Sequence, residues 1–339
     1  MNRSPFQPDQ IKIAVIGGGT GSFTLLSALK NHTKQIAALV NMADDGGSTG
    51  QLRDEMGTLP PGDIRQCLVA LSKAPEVRDL FNYRFEEGSL KGHAFGNLFL
   101  TALEKMTGDF VSGVELASKI LNITGRVEPI TLDDVRLVAK FSDGREEVGE
   151  FNIGELDFAG VRPELRLEPN AQANPVAIQA IEEADVVVIA PGNIYGSLAP
   201  ALIVDGVAEA LAKTSALKIY VSNLATKPNQ TDGFTVGDFA DELERLSGTK
   251  FIDVVLYNTE KPSDDLLKRY AKAGEKAVEI GELDQSRHYK TVGAPIIAGT
   301  IWSSQVADPI AASRTLIRHD SVAVAQCIID IYNQFKKES

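Results

Sequence analysis

Phosphate chemistry is what two stretches of this 339-residue chain offer first. In one, Gly17-Gly18-Gly19-Thr20-Gly21-Ser22 stands between the apolar run Ile13-Ala14-Val15-Ile16 and Phe23-Thr24-Leu25-Leu26-Ser27-Ala28-Leu29. Glycines let a backbone approach a ligand closely, and the N–H groups of a helix's first turn attract an anion. The anion expected there is a phosphate. In the other, Asn41-Met42-Ala43-Asp44-Asp45-Gly46-Gly47-Ser48-Thr49-Gly50 leads to Arg53 and to Pro60-Pro61-Gly62-Asp63-Ile64-Arg65. Asp44 and Asp45 suit Mg2+ beside phosphates, action on a substrate hydroxyl, or a hydrogen bond to a sugar, but also the ordinary work of turn acids. The forks of Arg53 and Arg65 suit phosphate or a structural ion pair.

His93 is the only one of four histidines inside a glycine-bearing loop, Gly92-His93-Ala94-Phe95-Gly96-Asn97. It is a candidate general base or ligand donor, or a helix-cap histidine. His32, His288 and His319 lie in polar contexts and are expected to do nothing chemical. A third glycine-bearing loop, Pro191-Gly192-Asn193-Ile194-Tyr195-Gly196-Ser197, follows the run Val186-Val187-Val188-Ile189 and offers a second phosphate or sugar contact. The first loop is neither a dinucleotide fingerprint, since Ser22 replaces the third glycine, nor a P-loop, since Phe23 follows Ser22. No Ser-His-Asp or Cys-His arrangement can be assigned, and Cys67 reads as a small core residue.

These groups need strands to present them. Continuous apolar runs at 13–16, 36–40, 185–190, 218–221, 251–258 and 295–298 read as buried parallel strands, most of them followed by a helical pattern. Helices are expected over 63–72, from Pro75, after Asn97, over 109–121, 174–184, 234–246, 264–273 and 321–335, with one long helix over 200–213. Alternation around Ser142-Asp143-Gly144-Arg145 predicts a hairpin, with a further strand over 161–169. The fold class is therefore α/β, a doubly wound and mostly parallel sheet of Rossmann-like type, with a helical lobe at about 62–124 and a small antiparallel β insertion at about 125–169. Residues 1–10 read as a flexible tail and 11–339 as a single domain. Loops leaving the carboxyl ends of adjacent strands share one crevice, so the glycine loops and acids are expected to meet there.

Composition narrows the partners. A net charge of −12 argues against general nucleic-acid binding, which needs clustered Lys and Arg. No apolar run approaches the roughly 20 residues of a membrane span. Two cysteines and no apolar leader make a reducing cytoplasm the expected compartment.

Five ordered motifs, Gly17 to Gly21, Ala43 to Gly50, Pro60 to Arg65, Gly92-His93 with Gly96-Asn97, and Pro191 to Tyr195, resemble the bacterial YvcK proteins, the gluconeogenesis factors of the CofD-like superfamily. The resemblance covers roughly Ile11 to Asn258. It implies a Rossmann-type core, a nucleotide-sugar ligand such as UDP-N-acetylglucosamine, and a regulatory role in cell shape and wall metabolism on gluconeogenic carbon sources. A wall-synthesis or regulatory protein partner and a homodimer are also implied. The related branch, 2-phospho-L-lactate transferase, joins a phospholactyl group from a nucleotide donor to a deazaflavin precursor with Mg2+. Carried onto this chain, the glycine loop, Asp44, Asp45, Asn193 and Tyr195 would surround the ligand, with Asn223 nearby. Two departures stand out: Ala190 to Ser197 replaces Gly-Pro-Gly-Ser-Leu-Tyr-Thr-Ser, and Ala225-Thr226-Lys227 replaces Met-Thr-Gln.

Overall fold

The computed structural model describes residues 10–272, 274–282, 286–299 and 318–338; the expected N-terminal tail and most of the loop before the last helix lie outside the described residues. Among the described residues, ten strands and thirteen α-helices follow in the order β1 Ile13–Gly17, α1 Gly19–Leu29, β2 Ile36–Val40, α2 Gly47–Met56, α3 Pro61–Leu71, α4 Pro75–Asn82, α5 Phe95–Thr107, α6 Phe110–Ile120, β3 Arg126–Pro129, β4 Arg136–Lys140, β5 Glu146–Val148, α7 Glu150–Glu155, β6 Glu164–Glu168, α8 Pro175–Glu182, β7 Val186–Ile189, α9 Ala199–Leu202, α10 Val207–Lys213, β8 Leu217–Val221, α11 Val236–Ser247, β9 Val254–Asn258, α12 Asp264–Lys272, β10 Lys290–Ala294 and α13 Ser321–Glu338.

Seven strands form one sheet in the order β10-β9-β8-β7-β1-β2-β3, every pairing parallel. The chain runs outward from β1 through β2 to β3, and outward on the other side from β7 through β8 and β9 to β10. The strand order therefore reverses between β1 and β7, and a crevice opens outside their carboxyl ends. All five residues of β1 and of β2, and all four of β7, are buried, as strands covered by helices on both faces must be. Leu25, Leu26 and Leu29 turn α1 onto this core; burying each contributes about 1.5–3 kcal/mol. α13 returns to pack on α1. The helices α3 to α6 form the lobe between β2 and β3, and β5-β4-β6 make the small antiparallel sheet.

Three expectations need correction. β3, inside the range expected for the insertion, pairs with β2 from Ala37↔Arg126 to Val40↔Pro129 and belongs to the main sheet. Where one long helix is expected over 200–213, two short ones stand, α9 and α10, broken at Gly206 with φ +97, and a π-turn at Ile194–Leu198 precedes them. Apolar periodicity cannot see that break, because Asp205 exchanges backbone hydrogen bonds with the segment Ala171 to Ala173. The strand expected over 295–298 lies at Lys290–Ala294 instead: Pro295 has no N–H to give a ladder, and an edge strand exposed along most of its length carries no apolar run.

Candidate functional site

A cleft of about 660 Å³ opens at the β1/β7 switch point. Of the residues singled out from sequence, Gly18, Gly19, Thr20, Gly21, Asp44, Gly46, Gly47, Ser48, Asp63, Arg65, Asn97, Pro191, Gly192, Asn193 and Asn223 line it. Gly17, Ser22, Asp45, Arg53, His93 and Tyr195 stand behind its wall.

Two helices begin at this cleft with a glycine at the N-cap. α1 starts after Gly18 and α2 after Gly46; neither has a side-chain cap or an acidic residue in its first turn. Elsewhere α6, α8 and α11 carry caps from Asp109, Asn174 and Thr235. First-turn N–H groups beside a cleft, backed by the helix dipole, suit an anion. Glycine is required for this packing. Gly19 holds φ +61, and a Cβ on Gly21 would lie 1.6 Å from the Pro191 carbonyl oxygen, which locks the two loops together.

The side chains split by role. Asp44 Oδ1 accepts the Gly46 N–H at 3.0 Å; burial pushes its carboxyl above the ordinary range, opposed by that bond and one from Thr49. Arg53 is buried, donating to the carbonyls of Asp44 at 3.0 Å and Val135 at 2.7 Å and to the Asp134 carboxylate. It ties the acidic loop to the segment entering β4. Arg65 donates to Asn97 Oδ1 at 2.8 Å and to Asn82 Oδ1 at 2.6 Å. Ser48 Oγ is hydrogen-bonded to His93 Nδ1 at 3.0 Å and accepts from Asn97 Nδ2 at 3.2 Å, so His93 reaches the cleft through Ser48. Asn193 caps the π-turn at Tyr195 and Gly196, leaving that N-terminus occupied. The fully buried Tyr195 donates its hydroxyl to Glu242 at 2.9 Å. Asn223 clasps Gly192, donating to its carbonyl at 2.7 Å and accepting its N–H at 3.4 Å.

Asp44 and Asp45 point in different directions. Asp45 turns away, its oxygens taken by the N–H groups of Glu150 and Phe151, with Arg136 Nη1 at 3.6 Å. Among the described residues no group of three or more His, Cys, Asp or Glu is arranged to hold a metal ion.

Several cleft residues carried no signal in the sequence. Glu150, at the start of α7, reads there as part of a hairpin strand. It is brought beside Asp44 and Asp63, and its pKa is pushed up to about 8 by burial first and by Asp44, Asp63 and Asp45 next. Lys227 and Glu275 join the wall from loops distant in sequence; burial pushes Glu275 up to about 7. His319 lies in a polar context yet is buried on the cleft wall, 3.1 Å from the Ser222 carbonyl oxygen, and burial lowers it to about 4.

Sheet order and cleft position define a doubly wound α/β protein with its candidate site at the switch point. The family described as 2-phospho-L-lactate transferase CofD matches residues 13–302. The chain is 38% identical over 325 residues to the gluconeogenesis factor of Bacillus subtilis, covering 95% of this chain and 98% of that one. It is 43% identical over 321 residues to a Thermotoga maritima protein provisionally given the same name, covering 94% and 98%. A crystal structure of a UPF0052 family member from Bacillus halodurans matches with a TM-score of 0.85 at 34% identity, over 94% of this chain and 98% of that one. The chain belongs to the CofD family, among its gluconeogenesis factors. No helix among the described residues is long and apolar enough to cross a membrane.

Proposed function

We propose that the cleft binds a nucleotide sugar, with a UDP-sugar such as UDP-N-acetylglucosamine as the leading ligand, and that the bound state is read by a partner in cell-shape and wall metabolism on gluconeogenic carbon sources. The observation that carries this reading is the pair of helix N-termini, α1 and α2, that start at glycines without an acidic first turn and line one cleft: two cradles suit two phosphates. The polar remainder of the wall, including Asn97, Asn193 and Asn223, supplies groups for sugar hydroxyls.

Thermal unfolding with UDP-N-acetylglucosamine, UDP-glucose, UDP and GDP, each with and without Mg2+, tests it. A ligand at 100 times its dissociation constant adds about 2.7 kcal/mol, a rise of several degrees. Stabilisation by the UDP-sugars without turnover supports the regulator. No stabilisation by any nucleotide sinks it.

A second reading is group transfer from a nucleotide-activated donor to a deazaflavin-like acceptor. It is favoured by Glu150, a cleft carboxyl whose pKa near 8 lets it hold or accept a proton near neutrality. Stabilisation by GDP together with a deazaflavin, and product lost in Glu150→Gln, would select it.

A further inference from the structure

Lys227 lines the same cleft from the loop after β8. Its ammonium lies against α7, 3.6 Å from where a Cβ on Gly154 would sit. The side chain is half-buried, yet its Nζ makes no hydrogen bond and no ion pair among the described residues, although Glu150, Glu155 and Glu275 act on it from farther off. A cation drawn out of water without a direct partner is costly to keep.

The structural uses of a lysine here are already taken. Carbonyls at the end of α7 would suit a basic cap, but Gln230 Nε2 serves Ile153 at 2.8 Å, Gly154 at 3.2 Å and Leu156 at 3.1 Å. The backbone around Lys227 is equally fixed. Its N–H donates to Thr231 Oγ1 at 2.7 Å, its carbonyl accepts the Thr231 N–H at 2.9 Å, and Thr226 N–H bonds the Lys276 carbonyl at 2.8 Å. An ammonium on a clamped loop, facing a ligand cavity, is pre-organised for a charge that comes from outside.

Resting on the nucleotide-sugar reading, we propose that Lys227 receives a second anionic group of the ligand, a carboxylate carried on the sugar and separate from the diphosphate. Two of the three neighbouring glutamates offer little opposition to this. Burial holds protons on Glu150 and Glu275 near neutrality, which weakens their repulsion and makes them hydrogen-bond donors.

Calorimetric titration with UDP-glucuronate and UDP-glucose, a pair differing by one carboxylate, tests the assignment. The protein is expected to prefer UDP-glucuronate by roughly ten-fold, the scale of one hydrogen bond to a charged group. Lys227→Gln brings the two affinities together. Ligand-free unfolding of the variant checks that the fold is intact. Equal binding of the two sugars, or a preference that survives Lys227→Gln, overturns the role of Lys227 and leaves the nucleotide-sugar reading standing. No binding of either sugar overturns both.

Discussion

Asp45 Oδ1 lies 2.9 Å from the backbone nitrogen of Phe151, and Oδ2 lies 3.2 Å from that of Glu150. An acid of the second glycine-rich loop thereby caps a helix of the antiparallel insertion. Gly149 makes the approach possible: it holds φ +100, and a Cβ there would lie 2.9 Å from Asp45 Oδ2. The bond that fixes the insertion also sets Glu150 at the cleft.

Replacing Asp45 should therefore loosen structure before it touches chemistry. Asp45→Ala leaves both N–H groups without their acceptor and is expected to cost about 1–3 kcal/mol. Asp45→Asn keeps one acceptor oxygen and should lose less. Urea midpoints of the two variants give the comparison, and an Asp45→Ala protein as stable as the wild type would contradict it.

Gly18 and Asp63 should be coupled. Gly18 has extended backbone that any residue can adopt, but a Cβ there would lie 2.0 Å from Asp63 Oδ2. Gly18→Ala must displace that carboxylate from the mouth of α1. In Gly18→Ala/Asp63→Ala the clash is gone, so the combined loss of stability should be smaller than the sum of the single losses, by about 0.5–3 kcal/mol. Strict additivity would show that the two residues do not press on each other.

Glu150 and Glu275 should make stability fall with rising pH. Each has a folded pKa above its ordinary 4.5, about 8 and about 7 respectively. The folded state therefore binds protons more tightly than the unfolded one. Their contribution is fully present below the ordinary value and is lost as pH climbs through 7 and 8. His319 works in the other direction: its pKa, lowered from 6.5 to about 4, withdraws stability as pH falls through that interval. Urea midpoints measured at about pH 6 and about pH 8.5 should differ less in Glu150→Gln than in the wild type, because the variant has no proton to lose. An unchanged difference would mean that Glu150 ionises as freely folded as unfolded.

The legible parts of the sequence are those where local pattern and tertiary role coincide. Val186 to Ile189 is apolar throughout because both sheet faces are covered, and Asp143-Gly144 marks its hairpin because the turn itself demands those residues. Lys290 to Ala294 was illegible for the opposite reason: an edge strand needs no apolar run, and its pairing with β9 is a long-range event. Among site residues, the glycines of the first two loops announce themselves because close approach excludes any side chain. Arg53, His93 and Tyr195 were equally conspicuous, but what they contact depends on Asp134, Ser48 and Glu242, each contributed by a distant segment.

By itself, then, the sequence determined the strand-glycine-helix units, the Rossmann-like class, the helical lobe, the hairpin and the family, since each rests on local periodicity, turn chemistry or ordered short motifs. Only the tertiary structure decided that Asp45 caps α7 while Asp44 faces the cleft, that Glu150 and Lys227 meet there, and that β3 completes the main sheet. Those outcomes depend on which segments pack together, and burial and charge proximity are properties of that packing, carried by no single stretch of chain.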